Sequence, residues 1–301
     1  MEYCAINLML PHFTQFFINL IYGIHYIIGP IAIKGFGPLG VVSFRVFFTT
    51  ILLGIIQKYI IREKVTSLKD YGHLALCGLF GVSINMECFF LGLAKTTAIN
   101  ASLLMIVTPI FVLIISGLFA REKITFLKLA GILMGASGAF LLMGGKNFQF
   151  SGETLTGDIF IIVNAISYAI FLVIVKPLTK KYNSFTISFW MFVFGSVINV
   201  PVGLIDLIPI IQHGGLSLIR TEMIWSLVFV IVFVTLINYV LTAWTLQKLS
   251  SSVVGSYIYL QPVIATFLAI WLGTDQLTLV KCASGLLIFG GVFLVNKRNG
   301  R

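Results

Sequence analysis

Charge is what this sequence has least of. Asp, Glu, Lys and Arg make up only 10% of its 301 residues, against roughly 25% in a soluble globular domain. A soluble fold of this length could not cover its surface with so few charges. Paired cysteines are missing too. Cys4, Cys77, Cys88 and Cys282 lie in or beside apolar runs without paired spacing, which argues against a disulfide or zinc framework. There is no His-Glu-x-x-His string. Gly144-Gly-Lys146 lacks the upstream glycine and the following Ser or Thr of a phosphate-binding loop. Neither a cofactor nor a bound metal is expected. The start, Met1-Glu2, has no basic region, and the apolar stretch behind it outruns a secretory signal core, so a cleaved leader is not expected.

What the sequence does have is apolar length. Hydrophobic residues make up 58% of it, and the mean hydropathy is +1.04. A spanning helix needs about 20 mostly apolar residues, and helices satisfy their own backbone in lipid. Ten such segments are expected: about 8–31, 39–59, 72–94, 98–119, 127–144, 157–178, 185–206, 223–246, 251–273 and 279–296. The links, longest around 58–71, 145–156 and 206–222, cannot hold a folded domain, so no nucleotide-binding domain is expected.

The net charge of +10 gathers in no basic domain, so nucleic acid is not an expected partner. Instead the basic residues report topology. With both termini cytoplasmic, the inside receives Lys58, Arg62, Lys64, Lys69, Arg121, Lys123, Lys128, Lys176, Lys180, Lys181, Lys248, Lys297, Arg298 and Arg301. The outside receives only Lys34, Lys95, Lys146, Arg220 and Lys281, and Arg45 is left within a helix. The positive-inside rule favours this orientation.

The chain also repeats itself. At a shift of 153 positions, Leu93, Lys95, Pro109, Thr125, Lys128 and Ala130 fall on Leu246, Lys248, Pro262, Thr278, Lys281 and Ala283. Leu133, Gly138, Phe140 and Leu141 fall on Leu286, Gly291, Phe293 and Leu294, and upstream Asn85 falls on Asn238. Five segments per half make the halves antiparallel, and the basic residues stay on one side while the helix pattern inverts. The expected units are 1–150 and 151–301. Inverted repeats belong to secondary transporters, whose substrate site lies near the midplane between halves.

Phe90-Leu-Gly-Leu-Ala-Lys-Thr-Thr-Ala-Ile-Asn-Ala-Ser102, Thr108-Pro109, Arg121-Glu-Lys-Ile-Thr125 and Gly131 to Gly138 resemble the EamA-type permeases of the drug/metabolite transporter superfamily. Leu246-Gln-Lys-Leu-Ser-Ser251, Gln261-Pro262, Asp275-Gln-Leu-Thr278 and Gly285 to Gly291 repeat the pattern more weakly, with Asp275-Gln where the first half has Glu122-Lys123. The resemblance implies an all-α polytopic membrane protein. Its ten helices would form two inverted five-helix repeats, with segments 1–4 and 6–9 around a central cavity and segments 5 and 10 outside it.

Ionisable groups inside a membrane are costly and point to function by default. His25, Arg45 and Glu87 fall in the outer halves of segments 1, 2 and 3, roughly 7–11 Å deep at 1.5 Å per residue. They form an expected cluster for a substrate or a proton; the structural alternatives are an Arg45–Glu87 pair or Arg45 snorkelling outward. Polar residues also share helical faces: Gln15, Asn19, Tyr22 and Tyr26; Asn164 and Tyr168; Thr235, Asn238, Thr242 and Thr245, with Tyr239 and Trp244 nearby; and Ser252, Ser256 and Tyr259, with Gln261 close by. Such faces suit a wet cavity, or interhelical hydrogen bonds. The expected substrate-binding set is therefore Glu87, Arg45, His25, Tyr22, Asn85, Asn164, Tyr168, Asn238, Tyr239, Trp244, Tyr259 and Gln261. Pro109 and Pro262, at matched mid-segment positions, are candidates for kinks that gate the path. Gly135-Ala-Ser-Gly138 has the form of an intramembrane protease string, but no histidine on a later helix could serve Ser137, and small residues more simply allow close helix packing.

The expected function is a secondary transporter, an exporter of small organic metabolites, amino-acid-like or drug-like, without enzyme activity. An importer or exchanger is the alternative within transport, and a non-transporting scaffold or receptor is the alternative outside it. The expected partners are a small-molecule substrate and the lipid bilayer. Proton coupling is open through Glu87 and His25, and a monomer is the expected state. The expected location is a bacterial cytoplasmic (inner) membrane.

Overall fold

The computed structural model describes residues 2–96, 101, 104–142, 154–212, 215–271, 276 and 278–296, with only the backbone of residues 2–8, 215, 216 and 269. Its helices follow the apolar runs. They are α1 (Glu2–Phe36), α2 (Pro38–Ile61), α3 (Leu68–Lys95), α4 (Met105–Phe119), α5 (Phe126–Leu142), α6 (Leu155–Ile174), α7 (Ser184–Gln212), α8 (Thr221–Lys248), α9 (Ser251–Trp271) and α10 (Leu279–Asn296). Eight are long and apolar enough to cross a membrane; α4 and α5 are shorter apolar helices. The first and seventh expected segments were drawn too short. α1 continues through Pro30 to Phe36 and α7 through Pro201 and Pro209 to Gln212, because neighbouring helices and local adjustment carry prolines in membrane helices.

Helix contacts come in mates when the two halves are exchanged. α3 packs on α6 as α8 packs on α1, and α4 packs on α6 as α9 packs on α1; α3 on α7 matches α8 on α2. The most extensive contacts are α5 with α10 and α2 with α7, each its own mate. The α5–α10 seam is built from glycine. A Cβ on Gly131 would come within 2.7 Å of Gly291 O, and one on Gly138 within 2.8 Å of Ser284 O and of the Leu287 side chain. Ser137, in the string that looks like a protease motif, is exposed and hydrogen-bonds Leu133 O at 2.9 Å. The string serves close packing.

The α2–α7 pair is antiparallel, and each helix caps the other's start. Asp206 Oδ2, near the end of α7, accepts from Leu39 N (2.7 Å) and Gly40 N (3.3 Å) at the start of α2. Glu63, just past α2, accepts from Asn183 N (2.8 Å) before α7. Each carboxylate thus meets unpaired N–H groups and the positive end of a helix dipole.

The halves also share departures from regular helix. α3 widens into a π segment at Leu79–Ile84 and α8 at Val230–Ile237, directly ahead of Asn85 and Asn238. A 3₁₀ turn at Met105–Val107 precedes Pro109, and one at Tyr257–Tyr259 precedes Pro262. The expected mid-helix kinks therefore take a different form. Pro109 and Pro262 stand in the first turns of the stretches Thr108–Phe119 and Leu260–Trp271. A missing N–H costs little there, and the fixed φ suits the helix.

Candidate functional site

A cavity lies between the halves, with about 60 Å³ open to the centre of a water molecule. It is lined from α1 (Tyr22, His25, Tyr26), α2 (Arg45), α3 (Asn85, Met86, Phe89), α4 (Met105), α6 (Asn164, Tyr168), α8 (Val234, Tyr239) and α9 (Ile258, Gln261). Neither α5 nor α10 contributes. α7, expected at the wall, stands one layer behind: its Phe192 packs edge-on beneath Tyr239, with ring centroids 5.2 Å apart.

The π segments explain how the polar wall is held. The carbonyls of a widened turn are open to outside donors. Tyr239 Oη donates to Gly81 O at 2.7 Å and lies 3.2 Å from Asn85 Oδ1; Ser167 Oγ donates to Phe80 O at 2.6 Å. On α8, Thr235 Oγ1 donates back to Val230 O at 2.7 Å and accepts from Arg45 Nε at 2.8 Å. Below these, Asn164 Nδ2 donates to Asn85 O (2.6 Å) and Asn85 Nδ2 reaches Asn164 O (3.5 Å), joining α3 to α6. The mated α8–α1 contact carries Asn238 Nδ2 to Ile18 O at 3.2 Å.

Arg45 is 4% exposed and sits about two turns into α2. Its guanidinium lies 5.3 Å from the centre of the Phe90 ring, a cation–π distance. Among the described residues no carboxylate forms a salt bridge with it. An arginine at the centre of a membrane helix costs about 2.5–3.5 kcal/mol on insertion scales, and less toward an end, so a buried charge kept here without a carboxylate partner is informative. His25 stacks on Phe89 (5.5 Å) and tilts against Phe90 (5.6 Å), and its Nε2 is buried without a hydrogen-bond partner.

Of the twelve expected binding residues, the cavity brings together Tyr22, His25, Arg45, Asn85, Asn164, Tyr168, Tyr239 and Gln261. Asn238 is buried just behind, bonded to α1. Tyr259 lines a smaller adjoining void with Pro262 and Gln261, its ring seated where Gly135 leaves room. Trp244 and Pro109 line neither space. Glu87 is also outside. Two residues on from Asn85, it points across α3 from the cavity; it is half-buried, and its Oε1 has no hydrogen-bond partner. The Arg45–Glu87 pairing considered from sequence is therefore not formed. Helical phase separates the two, and matched depth alone could not reveal that. Sequence reading also passed over Phe89, Met86 and Met105, whose apolar character looks like any lipid-facing position; only their phase beside Asn85 marks them.

It missed a second polar assembly, at the end of the molecule where α4 turns into α5. Arg121 there has φ 53, a left-handed conformation that folds Glu122 back so that its N–H returns to Ser116 O (3.1 Å). The Glu122 carboxylate accepts from Ser252 Oγ (2.7 Å), Ser251 N (2.9 Å) and Lys128 Nζ (3.4 Å). It thus closes the first half onto the start of α9. Burial raises its pKa, but the Ser252 hydrogen bond, the Lys128 charge and the Ser251 N–H together outweigh burial, and the net direction is down from 4.5. Lys176 donates to Leu246 O (2.6 Å) and to Leu249 O beside it. Among the described residues no cluster of three or more His, Cys, Asp or Glu could hold a metal.

Long apolar helices packed as mated halves around a polar cavity define a helical membrane transporter. The chain belongs to the EamA-like transporter family, whose profile matches residues 10–144 and again 155–297. It is 30% identical to an uncharacterized transporter of Archaeoglobus fulgidus, covering 89% of this chain and 92% of that one. It is 25% identical to the uncharacterized transporter YoaV of Bacillus subtilis, covering 92% and 93%. A relative in Streptantibioticus cattleyicolor, named a probable terminal-alkyne amino-acid exporter, is 25% identical over 89% of this chain and 87% of its own. A crystal structure at 16% identity superposes with a TM-score of 0.70 over 96% and 97% of the two chains, a likeness of fold. The chain is an integral membrane protein, and the names of its relatives are those of transporters, not enzymes.

Proposed function

We propose that the chain is a secondary transporter that exports small organic metabolites by alternating access between units 1–150 and 151–301. The carrying observation is the cavity between the halves, with Arg45 uncompensated at its wall. Secondary transporters place their substrate near the midplane between inverted repeats, and the helix mates supply that relation. Pro109 and Pro262, each following a 3₁₀ turn, are the positions where α4 and α9 would bend. Export agrees with the name of the Streptantibioticus cattleyicolor relative. Both termini are cytoplasmic in this reading, on the distribution of basic residues.

The test is a metabolite comparison of cells with and without the protein, followed by flux of the responding compound in proteoliposomes. The expected result is intracellular accumulation on deletion and saturable efflux on reconstitution. Depletion on deletion would give the importer, and flux only against a counter-substrate the exchanger. Normal metabolite pools with no flux would remove the transport reading. Orientation is read by an impermeant thiol reagent on cells: Arg220→Cys labels and Lys180→Cys does not, and the opposite result reverses the topology.

A further inference from the structure

We propose that the cavity selects a small organic monoanion, a carboxylate carried on an apolar or aromatic body, over the zwitterion or the amine of the same body. This rests on the transport reading above and names the substrate class of that site.

Three observations converge. The cavity wall holds a nine-tenths-buried guanidinium, set over the Phe90 ring, whose hydrogen bonding among the described residues is from Nε alone, to Thr235 Oγ1. Among the described residues no Asp or Glu lines the cavity, and the acid nearest in sequence, Glu87, is turned away across α3. The remaining wall is phenol, amide and ring: Tyr22, Tyr168 and Gln261 offer hydrogen bonds, while Phe89, Met86 and Met105 offer an apolar surface. A guanidinium fork pairs a carboxylate through two parallel N–H···O bonds, and the pair gains strength where water is excluded. The same fork repels an ammonium, which finds no carboxylate here. His25, the other titratable nitrogen at the wall, adds no negative charge in either protonation state. A cavity with one fixed cation and an apolar floor is therefore neutral only with an anion inside.

The experiment compares ligands that share a phenyl body. The purified full-length protein in nanodiscs is titrated with 3-phenylpropionate, phenylalanine and 2-phenylethylamine, and binding is read by thermal stabilisation. The expected result is 3-phenylpropionate at least tenfold tighter than either other probe, with that preference lost in Arg45→Gln and partly kept in Arg45→Lys. Where Arg45→Gln does not fold, competition on the natural chain decides. Phenylalanine or phenylethylamine competing as well as 3-phenylpropionate overturns the proposal, as does a failure of 3-phenylpropionate to bind. Anion-selective binding without flux in proteoliposomes would sink the transport reading and leave this one standing. Flux of the amino acid or amine alone would do the reverse.

Discussion

Glu122 offers the sharpest perturbation because its partners all belong to one closed arrangement. Glu122→Gln keeps the shape, removes the charge, and replaces one acceptor oxygen with a donor. The amide oxygen can still accept from Ser251 N and the amide N–H can donate to Ser252 Oγ, but both contacts lose their charge and the attraction of Lys128 goes. A hydrogen bond to a charged group contributes about 1.5–3 kcal/mol. The carboxylate side chain is only 13% exposed, so solvent screening takes little of this away. The closed arrangement should lose about ten- to a hundredfold in population at 1.4 kcal/mol per tenfold. Ser116 lies beneath the contact, fully buried, its Oγ 3.0 Å from Ser252 Oγ. In a background without the four native cysteines, Ser116→Cys should react with a thiol reagent at least tenfold faster once Glu122→Gln is added. The pH dependence has a definite sign. A carboxylate with lowered pKa stabilises fully above its ordinary value of 4.5 and loses that contribution only as pH falls through the lower folded value. Labelling of Ser116→Cys alone, divided at each pH by that of an exposed reference cysteine to remove the change in thiolate fraction, should thus stay flat from pH 7 to pH 5. Acceleration across that range, or no response to Glu122→Gln, would refute the reasoning.

Four further outcomes are expected. Gly37 has φ 69, and a Cβ there would meet Asp206 Oδ2 at 2.5 Å. Gly37→Ala should cost about 1–3 kcal/mol from backbone strain and displace the cap on α2, read as a lowered midpoint of thermal unfolding. Gly135→Val drives a branched side chain into the Tyr259 ring, 2.5 Å from the first added carbon, and should cost about 1–3 kcal/mol by overpacking. Gly285→Ala on α10 meets nothing within 4 Å and should stay within about 0.5 kcal/mol of the parent. Asn164→Leu removes the donor to Asn85 O (2.6 Å) and should cost about 0.6–2 kcal/mol. An unchanged unfolding midpoint in either Gly37→Ala or Asn164→Leu would show that the contact contributes nothing.

The helices were legible because lipid imposes one requirement on every spanning segment, apolar length, and hydropathy reads length directly. The repeat was legible where both halves need the same backbone device: Pro109 and Pro262 start matched helical stretches, and Asn85 and Asn238 follow matched π segments. The π segments themselves were not legible, since Leu79–Ile84 and Val230–Ile237 are ordinary apolar sequence. On α1 the residues at the cavity, Tyr22, His25 and Tyr26, are polar and stand out in the sequence; on α3 most of them are apolar and do not. Glu87 drew attention as a charge, but phase puts Met86 and Phe89 at the wall beside the expected Asn85. Glu122 was passed over because a loop carboxylate beside lysines looks like surface; its role needs α9 folded back across it.

The two halves share a backbone plan but not a charge. At the 153-residue shift Arg45 falls on Ile198, Thr235 on Val82, and Glu87 on Val240. The widened turns, the amides and the proline starts recur on both sides of the cavity; the guanidinium stands on one side only. The shared features account for packing, since each serves a helix contact with a mate in the other half. Arg45 on α2 bonds Thr235 in the α8 π segment as Asn199 on α7 bonds Ser83 in the α3 π segment (3.3 Å), so the contact has a mate but the charge does not. The mated contact is made by a neutral amide, Asn199, without the cost of burying a cation. The departure from symmetry therefore coincides with the fixed charge in the cavity. That is where a ligand, itself without two-fold symmetry, would have to be held at one end by its charge.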